Sequence, residues 1–357
     1  MSDFFEIDFL NTGSRQSGDA ITLRYSINGK IRIHVTDGGF QDTGNLIIEH
    51  INEHYNYPSR IDAIIVTHSD NDHTGGLAKL FDEYEIGELW MLRPWQYAEE
   101  LIARFPRFTS IDNLKKRMKD IYPNIATLEE LAEKNNVAIM EPFQNSKIGY
   151  FHVLAPSKEH YLDLVVESDK TPEGTTKSIS EEMGQIVNKI KSLIIFAWGV
   201  EHFPEDDTSP ENNMSVIQYA YLCEKKVLLT GDAGRAALNE AADFAPSTGL
   251  ELPNSFHCIQ VPHHGSRHNV STEVLNRWLG LVSKVNYEGN LSTAIVSAAK
   301  EDKDHPRKAV VRAFNHRRAK VMSTAECSVR NQSPNAPTRE GWRPATPLPY
   351  PEAQEKL

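Results

Sequence analysis

Residues 67–76 read Thr67-His68-Ser69-Asp70-Asn71-Asp72-His73-Thr74-Gly75-Gly76, and this stretch decides which fold the rest of the chain is expected to adopt. Four potential metal ligands lie within six residues, directly after the apolar residues 61–66. Because alternate residues of an extended chain point the same way, His68, Asp70 and Asp72 are expected to converge on one side. A helix beginning here would bring His73 beside them, and the two glycines allow a tight turn. The alternative is a polar loop that only caps a helix.

Two further apolar runs also end in candidate ligands. Residues 227–230 lead into Gly231 and Asp232, and residues 259–261 lead into Pro262-His263-His264-Gly265-Ser266. Either turn alone is commonplace. Sheets of α/β proteins gather active-site residues from distant segments at strand ends, so the three segments together predict one site. Their imidazoles and carboxylates are suitable donors for two metal ions, with Asp232 as the preferred bridge.

Short β-branched or apolar runs alternate with stretches of helical periodicity, which predicts a mixed α/β chain. The predicted strands lie at residues 21–25, 31–35, 61–67, 193–197, 216–221, 227–230, 259–261 and 294–297. The predicted helices lie at residues 45–54, 77–84, 111–121, 128–135, 236–244 and 272–279.

Three segments depart from this alternation. Residues 94–141 predict a helical insertion, and the polar residues 157–191 predict a loop that leads into a helix and is a candidate lid. Residues 331–357 contain six prolines and predict an extended or disordered tail. The remaining chain, residues 1–330 with their insertions, is expected to form one domain.

Composition limits the classes of protein to consider. A chain of 357 residues, 39% of them hydrophobic, buries a large core without disulfides. The net charge of −11 gives no global reason to bind nucleic acid or an anionic membrane. Three cysteines without CxxC spacing are expected to be reduced thiols. The acidic start lacks the order of a signal peptide, and no apolar run approaches the roughly 20 residues of a membrane helix, which predicts a cytoplasmic protein without membrane association.

The order HxDxDHxGG, LLTGD and PHHGS resembles the metallo-β-lactamase superfamily. More narrowly, it resembles the branch that contains the cytoplasmic hydrolase domain of the competence protein ComEC. The matching pieces include Gly18-Asp19-Ala20, Asp37-Gly38-Gly39, Asn212-Asn213-Met214-Ser215 and His305-Pro306, and the resemblance covers about residues 5–321. It implies a four-layer αββα sandwich with metals at one edge between two sheets.

The resemblance also implies how the ligands divide between two divalent cations. His68 and Asp70 would bind one cation, Asp72, His73 and His263 the other, and Asp232 would bridge them. Asp70 stands where most members of the superfamily have a second histidine, and Asn212 or Asn213 stands near the place of a third. Both departures favour oxygen donors, so Zn²⁺ and Mn²⁺ are both expected candidates and Mg²⁺ remains open.

Asp72, Asp232 and His305 are the predicted catalytic residues. Asp37, Asn213, His264 and Ser266 are predicted to orient ligands or contact substrate. Asp37 alternatively only shapes its turn, and His305 alternatively only marks a loop before a proline. The sequence does not decide which of His263 and His264 faces the metal.

A rival pattern occurs at residues 50–54, which read His50-Ile51-Asn52-Glu53-His54. This HxxEH spacing is typical of one class of zinc peptidases, in which two histidines on one helix face bind metal. The same helix carries core-like apolar residues, so the alternative is an ordinary helix with a solvated face.

A hydroxide held between two cations is a strong nucleophile near neutral pH. The predicted function is therefore a binuclear metal-dependent hydrolase, most specifically a phosphodiesterase or nuclease acting on DNA or RNA. Basic residues at 115–119 and 307–320 are candidates to hold phosphates, or alternatively solvated helix faces. The other hypotheses are a small-molecule phosphoesterase or lactone/amide hydrolase on the same site, and a catalytically degenerate partner protein.

Overall fold

Two seven-stranded sheets pack face to face, with helices on both outer surfaces. The structure is a computed structural model, which describes residues 2–13, 15–171, 193–284 and 289–355. Both sheets are antiparallel on one side and parallel on the other.

The strands of the first sheet are β1 Phe4–Phe9, β2 Ala20–Ile27, β3 Lys30–Gly38, β4 Arg60–Ile65, β5 Glu85–Trp90, β6 Ala138–Met140 and β15 Val329–Gln332. Those of the second sheet are β7 Lys147–Ile148, β8 Phe151–Ala155, β10 Ile217–Leu222, β11 Lys225–Leu229, β12 Cys258–Gln260, β13 Ser292–Val296 and β14 Ala319–Ser323. The first sheet has the order β15-β1-β2-β3-β4-β5-β6, and the second has the order β14-β13-β12-β11-β10-β8-β7. A small antiparallel pair joins β9 Leu193–Ile195 to β16 Ala353–Glu355.

The helices of the first half are α1 Thr43–Tyr55, α2 Asn71–Thr74, α3 Leu80–Glu83, α4 Ala98–Leu101, α5 Ile111–Ile121, α6 Pro123–Lys134 and α7 Lys158–Glu167. Those of the second half are α8 Pro210–Asn213, α9 Arg235–Phe244, α10 Thr272–Leu279 and α11 Lys308–His316. Short 3-10 helices occupy Leu77–Lys79, Pro94–Tyr97, Ile102–Arg104, Ala245–Thr248 and His263–Gly265. None of the described helices combines the length and apolar character needed to cross a bilayer.

Side-chain alternation along the strands builds three apolar layers. In β11, Val227 and Leu229 face the first sheet, whereas Leu228 between them faces the outer helices. Helices α1, α5 and α6 cover the first sheet, and α9, α10 and α11 cover the second. This arrangement of helix, sheet, sheet and helix confirms the predicted αββα sandwich.

The two predicted insertions lie on the outside of the first sheet and beside it. Residues 94–134 form α4, α5, α6 and two short 3-10 helices, and the insertion ends in β6, which adds an edge strand to the first sheet. The second insertion begins with α7. Its remainder from residue 172, including the candidate lid, lies outside the described residues.

The tail takes an extended path over the domain and is packed against it up to residue 355. Its first residues belong to β15, which pairs with β1. Arg339 then donates hydrogen bonds to the buried carboxylates of Glu6 and Asp8. At the end of the described tail, Glu355 accepts hydrogen bonds from the backbone N–H groups of Lys308 and Ala309, the first residues of α11. Such contacts satisfy donors that a helix start leaves unpaired.

Candidate metal centre

Strand ends from both sheets deliver polar side chains to one edge of the sandwich. On the first sheet, Asp19 directly precedes β2, Asp37 lies near the end of β3, and residues 67–74 follow β4. On the second sheet, Asp232 follows β11 and His264 follows β12. The His263 N–H donates to the Gly231 carbonyl at 3.3 Å, which holds the two second-sheet turns together.

Among the described residues, four buried side chains form a compact group of potential ligands, namely Asp19, His73, Asp232 and His264. One donor atom from each lies within 4.8 Å of the others. His73 Nε2 is 3.2 Å from Asp232 Oδ1, and His264 Nε2 is 4.0 Å from Asp232 Oδ2. Two donors that share a zinc ion are separated by ~3.4 Å, so these distances fit a common cation.

Several polar atoms at this edge are buried and have no hydrogen-bond partner among the described residues. They are Asp19 Oδ1, His68 Nε2, His73 Nε2 and Asp232 Oδ1. An unpaired buried polar atom is costly, and a buried charge without a partner is more so. A divalent cation would satisfy donors of this kind together. The residues present therefore fit a metal site.

Hydrogen bonds on the far side of the His73 ring fix its orientation. His73 Nδ1 lies 2.8 Å from Asp37 Oδ2 and donates its proton to that carboxylate. Asp37 is itself held by the backbone N–H of Thr67 at 2.9 Å and by the Thr67 hydroxyl at 2.6 Å. With the proton on Nδ1, Nε2 carries the lone pair that a metal needs. Asp37 thus lies where it would orient a candidate ligand.

The two adjacent histidines both face Asp232, but at different depths. His264 is buried, and its Nδ1 donates to the Ser297 carbonyl at 3.0 Å, which leaves Nε2 facing the group. His263 is 28% exposed, and its Nε2 lies 3.7 Å from Asp232 Oδ2. Asn269 and Asn212 hold its Nδ1, each at 3.0 Å. The structure therefore places His264 in the group of four and His263 beside it.

Both histidines have positive φ angles, +46° for His263 and +53° for His264. Residues other than glycine rarely adopt this backbone conformation, and such strain tends to occur at functional sites. In this turn, both neighbouring imidazoles face the same carboxylate.

Asp232 is the carboxylate that all four nearby imidazoles approach. In addition to the contacts above, His68 Nε2 lies 3.9 Å from Asp232 Oδ2. His68 Nδ1 is held by the Thr67 and Ser215 hydroxyls at 3.1 and 3.4 Å. The Ser215 hydroxyl also accepts the backbone N–H of Asp232 at 3.1 Å. This central position is the one expected of a carboxylate shared between two cations.

The two acids of the HxDxDH motif lie in different surroundings. Asp72 Oδ2 is 3.3 Å from His264 Nε2 and 3.9 Å from His73 Nε2, so Asp72 borders the group. Asp70 Oδ1 instead pairs with Lys170 Nζ at 2.6 Å. The structure thus does not bring Asp70 into the group of four, although the sequence suggested it as a ligand.

Asp19 is the member of the group that the sequence analysis did not select. Its backbone N–H donates to the Asp72 carbonyl at 3.0 Å, and its Oδ2 accepts from Gln260 Nε2 at 3.0 Å. The preceding Gly18 permits this approach, because a Cβ there would lie 2.9 Å from the Asp72 carbonyl oxygen. The Gly18-Asp19 pair was the only available signal.

The other predicted site residues lie further from the four ligands. Asn213 Oδ1 accepts the Ala237 N–H in the first turn of α9, so it supports that helix. Ser266 accepts the His268 N–H at 3.4 Å and shapes the turn after the two histidines. His305 stacks on His263 with ring centroids 6.0 Å apart, and its Nδ1 lies 3.0 Å from Asp302 Oδ2.

Charge dominates the electrostatics of this edge. Burial would lower the pKa of His264, but Asp232, Asp72 and Asp19 outweigh it and raise the pKa to about 9. Burial would likewise raise the pKa of Asp232, but the surrounding imidazoles hold the pKa well below its usual range. The excess of buried carboxylate attracts positive charge, which protons or a divalent cation would supply.

Two of the basic residues proposed as phosphate contacts are buried and paired with groups of the protein itself. Arg312 is buried and donates to the carbonyls of Pro351 and Ala197. Arg317 is buried and pairs with Glu201 at 2.7 Å. These two side chains stabilise the packing of α11, so the suggestion that they hold phosphates is wrong.

The HxxEH pattern on α1 also has a structural explanation. His50 is buried with its Nε2 3.2 Å from Asp8 Oδ2, and the ring of His54 packs edge-on against Trp342 at 5.4 Å. The Glu53 side chain is exposed. This arrangement joins α1 to β1 and to the tail, and none of the three residues belongs to the group of four.

The two packed sheets and the group of four define an αββα sandwich with a candidate metal centre, an architecture consistent with the metallo-β-lactamase fold. Residues 35–134, which include Asp37 and the HxDxDH motif, match the family model described as Metallo-beta-lactamase superfamily. No curated relative matches the chain.

The chain is also similar to several solved structures at low sequence identity. Tm1679, a metal-dependent hydrolase of the beta-lactamase superfamily, is 10% identical over 91% of this chain and 98% of its own, with a TM-score of 0.43. A diphosphatase from the PhnP family is 8% identical over 81% and 85%, with a TM-score of 0.34. AidC, a dizinc quorum-quenching lactonase, is 11% identical over 60% of this chain, with a TM-score of 0.30. The chain spans 56% of the length of AidC, just over half.

Proposed function

We propose that this chain is a hydrolase that uses two divalent cations to cleave phosphodiester bonds. The observation that carries the proposal is the set of buried, unpartnered donor atoms around Asp232. These atoms come from motifs on both sheets, and their spacing fits bound cations. A degenerate partner protein would have no need to keep this complete donor set.

The chain's own residues divide naturally between two positions around Asp232. Asp19, His73 and His264 would hold one cation with Asp232, and His68 and His263 would hold the other. Asp72 borders the first position through its contact with His264. Mixed nitrogen and oxygen donors suit Zn²⁺ or Mn²⁺. When bound, such cations lower the pKa of a coordinated water and stabilise negative charge on the attacked phosphate.

Other residues would position the ligands and move protons. Asp37 and the Ser297 carbonyl keep the protons of His73 and His264 on Nδ1. Asp302 likewise keeps a proton on Nδ1 of His305. A proton taken up on His305 Nε2, supplied in turn by the attacking water, would then pass to the departing alcohol. Hydrolysis adds a water oxygen to phosphorus, breaks the bond from phosphorus to the leaving oxygen, and transfers one proton to that oxygen.

Two observations support phosphodiesters as the substrate. The carboxylates of Asp19, Asp72 and Asp232 supply oxygen donors beside the imidazoles, and oxygen donors suit the harder cations used in phosphoryl chemistry. The three motifs also resemble the ComEC-like branch, whose nuclease-like domain suggests DNA or RNA as one form of this substrate.

The test combines metal analysis with a substrate screen. Purified protein is expected to retain about two Zn²⁺ or Mn²⁺ ions per chain and to cleave bis-p-nitrophenyl phosphate. DNA, RNA and a chromogenic lactam are offered in parallel. Asp232→Asn is expected to lose the metal and to lower kcat/KM by at least about 100-fold, because it removes the shared carboxylate. His50→Ala serves as the control, with metal content and activity unchanged.

Metal-free protein that stays inactive when Zn²⁺ or Mn²⁺ is added would refute the proposal. Cleavage of the lactam but of no phosphodiester would support the metal centre and contradict phosphodiesters as the substrate class. Activity lost in His50→Ala but kept in Asp232→Asn would favour the HxxEH pattern instead.

A further inference from the structure

Lys170 lies beside the HxDxDH motif, near the second cation position, which is the one assigned above to His68 and His263. Its Nζ donates to Asp70 Oδ1 at 2.6 Å. Asp70 is separated from His68 by one residue, and its charge acts on that imidazole: burial lowers the pKa of His68, and Asp70 is among the carboxylates that oppose this lowering. The ion pair therefore puts a positive charge at the border of the second cation position.

Buried hydrogen bonds fix the turn that carries Lys170. Ser168 is fully buried, and its hydroxyl donates to the carboxylate of Glu211 and accepts the Lys170 N–H at 3.1 Å. Thr171 is also buried, and its hydroxyl donates to the Val165 carbonyl at 2.7 Å. The protein interior thus holds the backbone on both sides of the lysine. This support lowers the entropy that the lysine would lose on binding a ligand.

The same segment, α8 and the residues after it, supports both this turn and the second cation position. Glu211 lies in α8, and the next residue, Asn212, contacts His263 Nδ1 at 3.0 Å. Ser215, just after α8, contacts His68 Nδ1 at 3.4 Å. One segment therefore positions the lysine together with the two histidines assigned to the second cation.

The ion pair between Lys170 and Asp70 is open to solvent. The two side chains are 45% and 29% exposed, and a pair with this exposure contributes little to stability. An ammonium has three N–H groups, and Asp70 Oδ1 accepts one of them. Lysine often binds phosphate oxygens, because it offers a compact positive charge on a flexible stem. The pair is thus suited to hold a cation where an anion arrives from solvent.

We infer that Lys170 is a substrate-binding residue whose ammonium contacts a negatively charged oxygen of the substrate beside the second cation position, and that Asp70 positions this ammonium. The inference rests on the proposed function and specifies it further. The site selects esters that carry a negative charge on the attacked group, as phosphodiesters do, over neutral lactones and amides. Because the substrate carries this charge before it reacts, the contact tightens binding without accelerating the chemical step.

A binding measurement tests this contact without any turnover. Dimethylphosphinate is an anion, and trimethylphosphine oxide is its neutral analogue, in which a methyl group replaces one oxygen; neither has an ester bond. Phosphorus NMR titration in the presence of Zn²⁺ measures both affinities. Lys170→Met is expected to weaken binding of the phosphinate about tenfold, the size of one hydrogen bond between charged groups, and to leave binding of the oxide unchanged. Lys170→Arg keeps the charge and is expected to restore most of the affinity.

Kinetics provide a second readout. With bis-p-nitrophenyl phosphate, Lys170→Met is expected to raise KM about tenfold and to change kcat by less than about threefold. Added salt is expected to raise KM more in the wild type than in Lys170→Met, because salt screens an exposed charge. Lys158→Met is the matched control: Lys158 pairs with Glu100 at 2.8 Å and is 47% exposed, but it lies at the start of α7, so binding and kinetics are unchanged.

The melting temperature of Lys170→Met is expected to stay close to that of the wild type, because an exposed ion pair contributes little. Undiminished phosphinate binding in Lys170→Met, or none in the wild type, would overturn the inference while the hydrolase proposal stands. Equal weakening of phosphinate and oxide binding would also overturn it, because the lysine would then support the shape of the site. A protein that cleaves no ester, but loses phosphinate affinity in Lys170→Met alone, would refute the proposed function and retain the binding role.

Discussion

Single residues show where sequence reasoning succeeds and where it ends. His68, His73 and Asp232 were predictable as candidates because they lie in segments that follow apolar strands, β4 for the two histidines and β11 for Asp232. Asp19 was not, because one acid after a glycine has no distinctive spacing. Its position depends on a hydrogen bond from Gln260 of the second sheet, a contact that local sequence does not encode.

The contrast between Asp19 and Asp70 gives a residue-scale prediction. Asp19→Asn is expected to weaken Zn²⁺ or Mn²⁺ binding at least about tenfold more than Asp70→Asn does, because Asp19 is in the group of four and Asp70 pairs with Lys170. Competition with a chromogenic chelator measures both affinities. A larger loss in Asp70→Asn would show that the ligand set inferred from the resemblance is correct.

At the scale of elements, all the predicted strands and helices in the described residues overlap observed ones. The sequence missed β1, because Glu6 and Asp8 interrupt its apolar residues and resemble a solvated face. Both carboxylates are in fact buried, and Arg24, Arg330 and Arg339 pair with them. Two of these arginines come from β15 and the tail, more than 300 residues away, so no local pattern could have revealed them.

The tail is therefore expected to contribute to stability through this ion network. Arg339→Met would leave the carboxylates of Asp8 and Glu6 buried with fewer partners, and it is expected to lower the free energy of unfolding by about 3 kcal/mol or more. Arg343→Met, at an exposed neighbouring position, is expected to change it by less than about 0.5 kcal/mol. Urea unfolding of both variants measures the difference, and equal stabilities would show that the tail is only loosely attached.

At the scale of the whole molecule, the alternation of elements predicted a mixed α/β chain, and the resemblance carried by the motifs implied the αββα arrangement. The sequence did not predict which polar groups become buried between the layers. His34 on β3 is 2% exposed, and its Nε2 lies 3.2 Å from the Tyr25 hydroxyl. Burial lowers the pKa of His34 to about 4, so this imidazole is neutral in the folded protein.

This shift predicts how stability depends on pH. Below the unfolded-state pKa of 6.5, the unfolded chain takes up a proton at His34 that the folded chain excludes until about 4. Stability is therefore lost as the pH falls through this window, by about 2 kcal/mol at about pH 5 relative to neutral or higher pH. In His34→Phe this loss should be absent, whereas the half-buried control His202→Phe should keep it. Urea unfolding at about pH 5 and at neutral pH measures the free energy of unfolding of each protein. An equal decrease in all three proteins would contradict the prediction.

The group of four takes two of its members from each sheet, with Asp19 and His73 on one and Asp232 and His264 on the other. A cation bound there would hold the two sheets together, because the two members of the group on either sheet are too few to coordinate it alone. The affinity for the cation would then depend on how the two sheets are aligned. A substitution that loosens the packing between the sheets, away from the site, would therefore weaken cation binding before the protein unfolds.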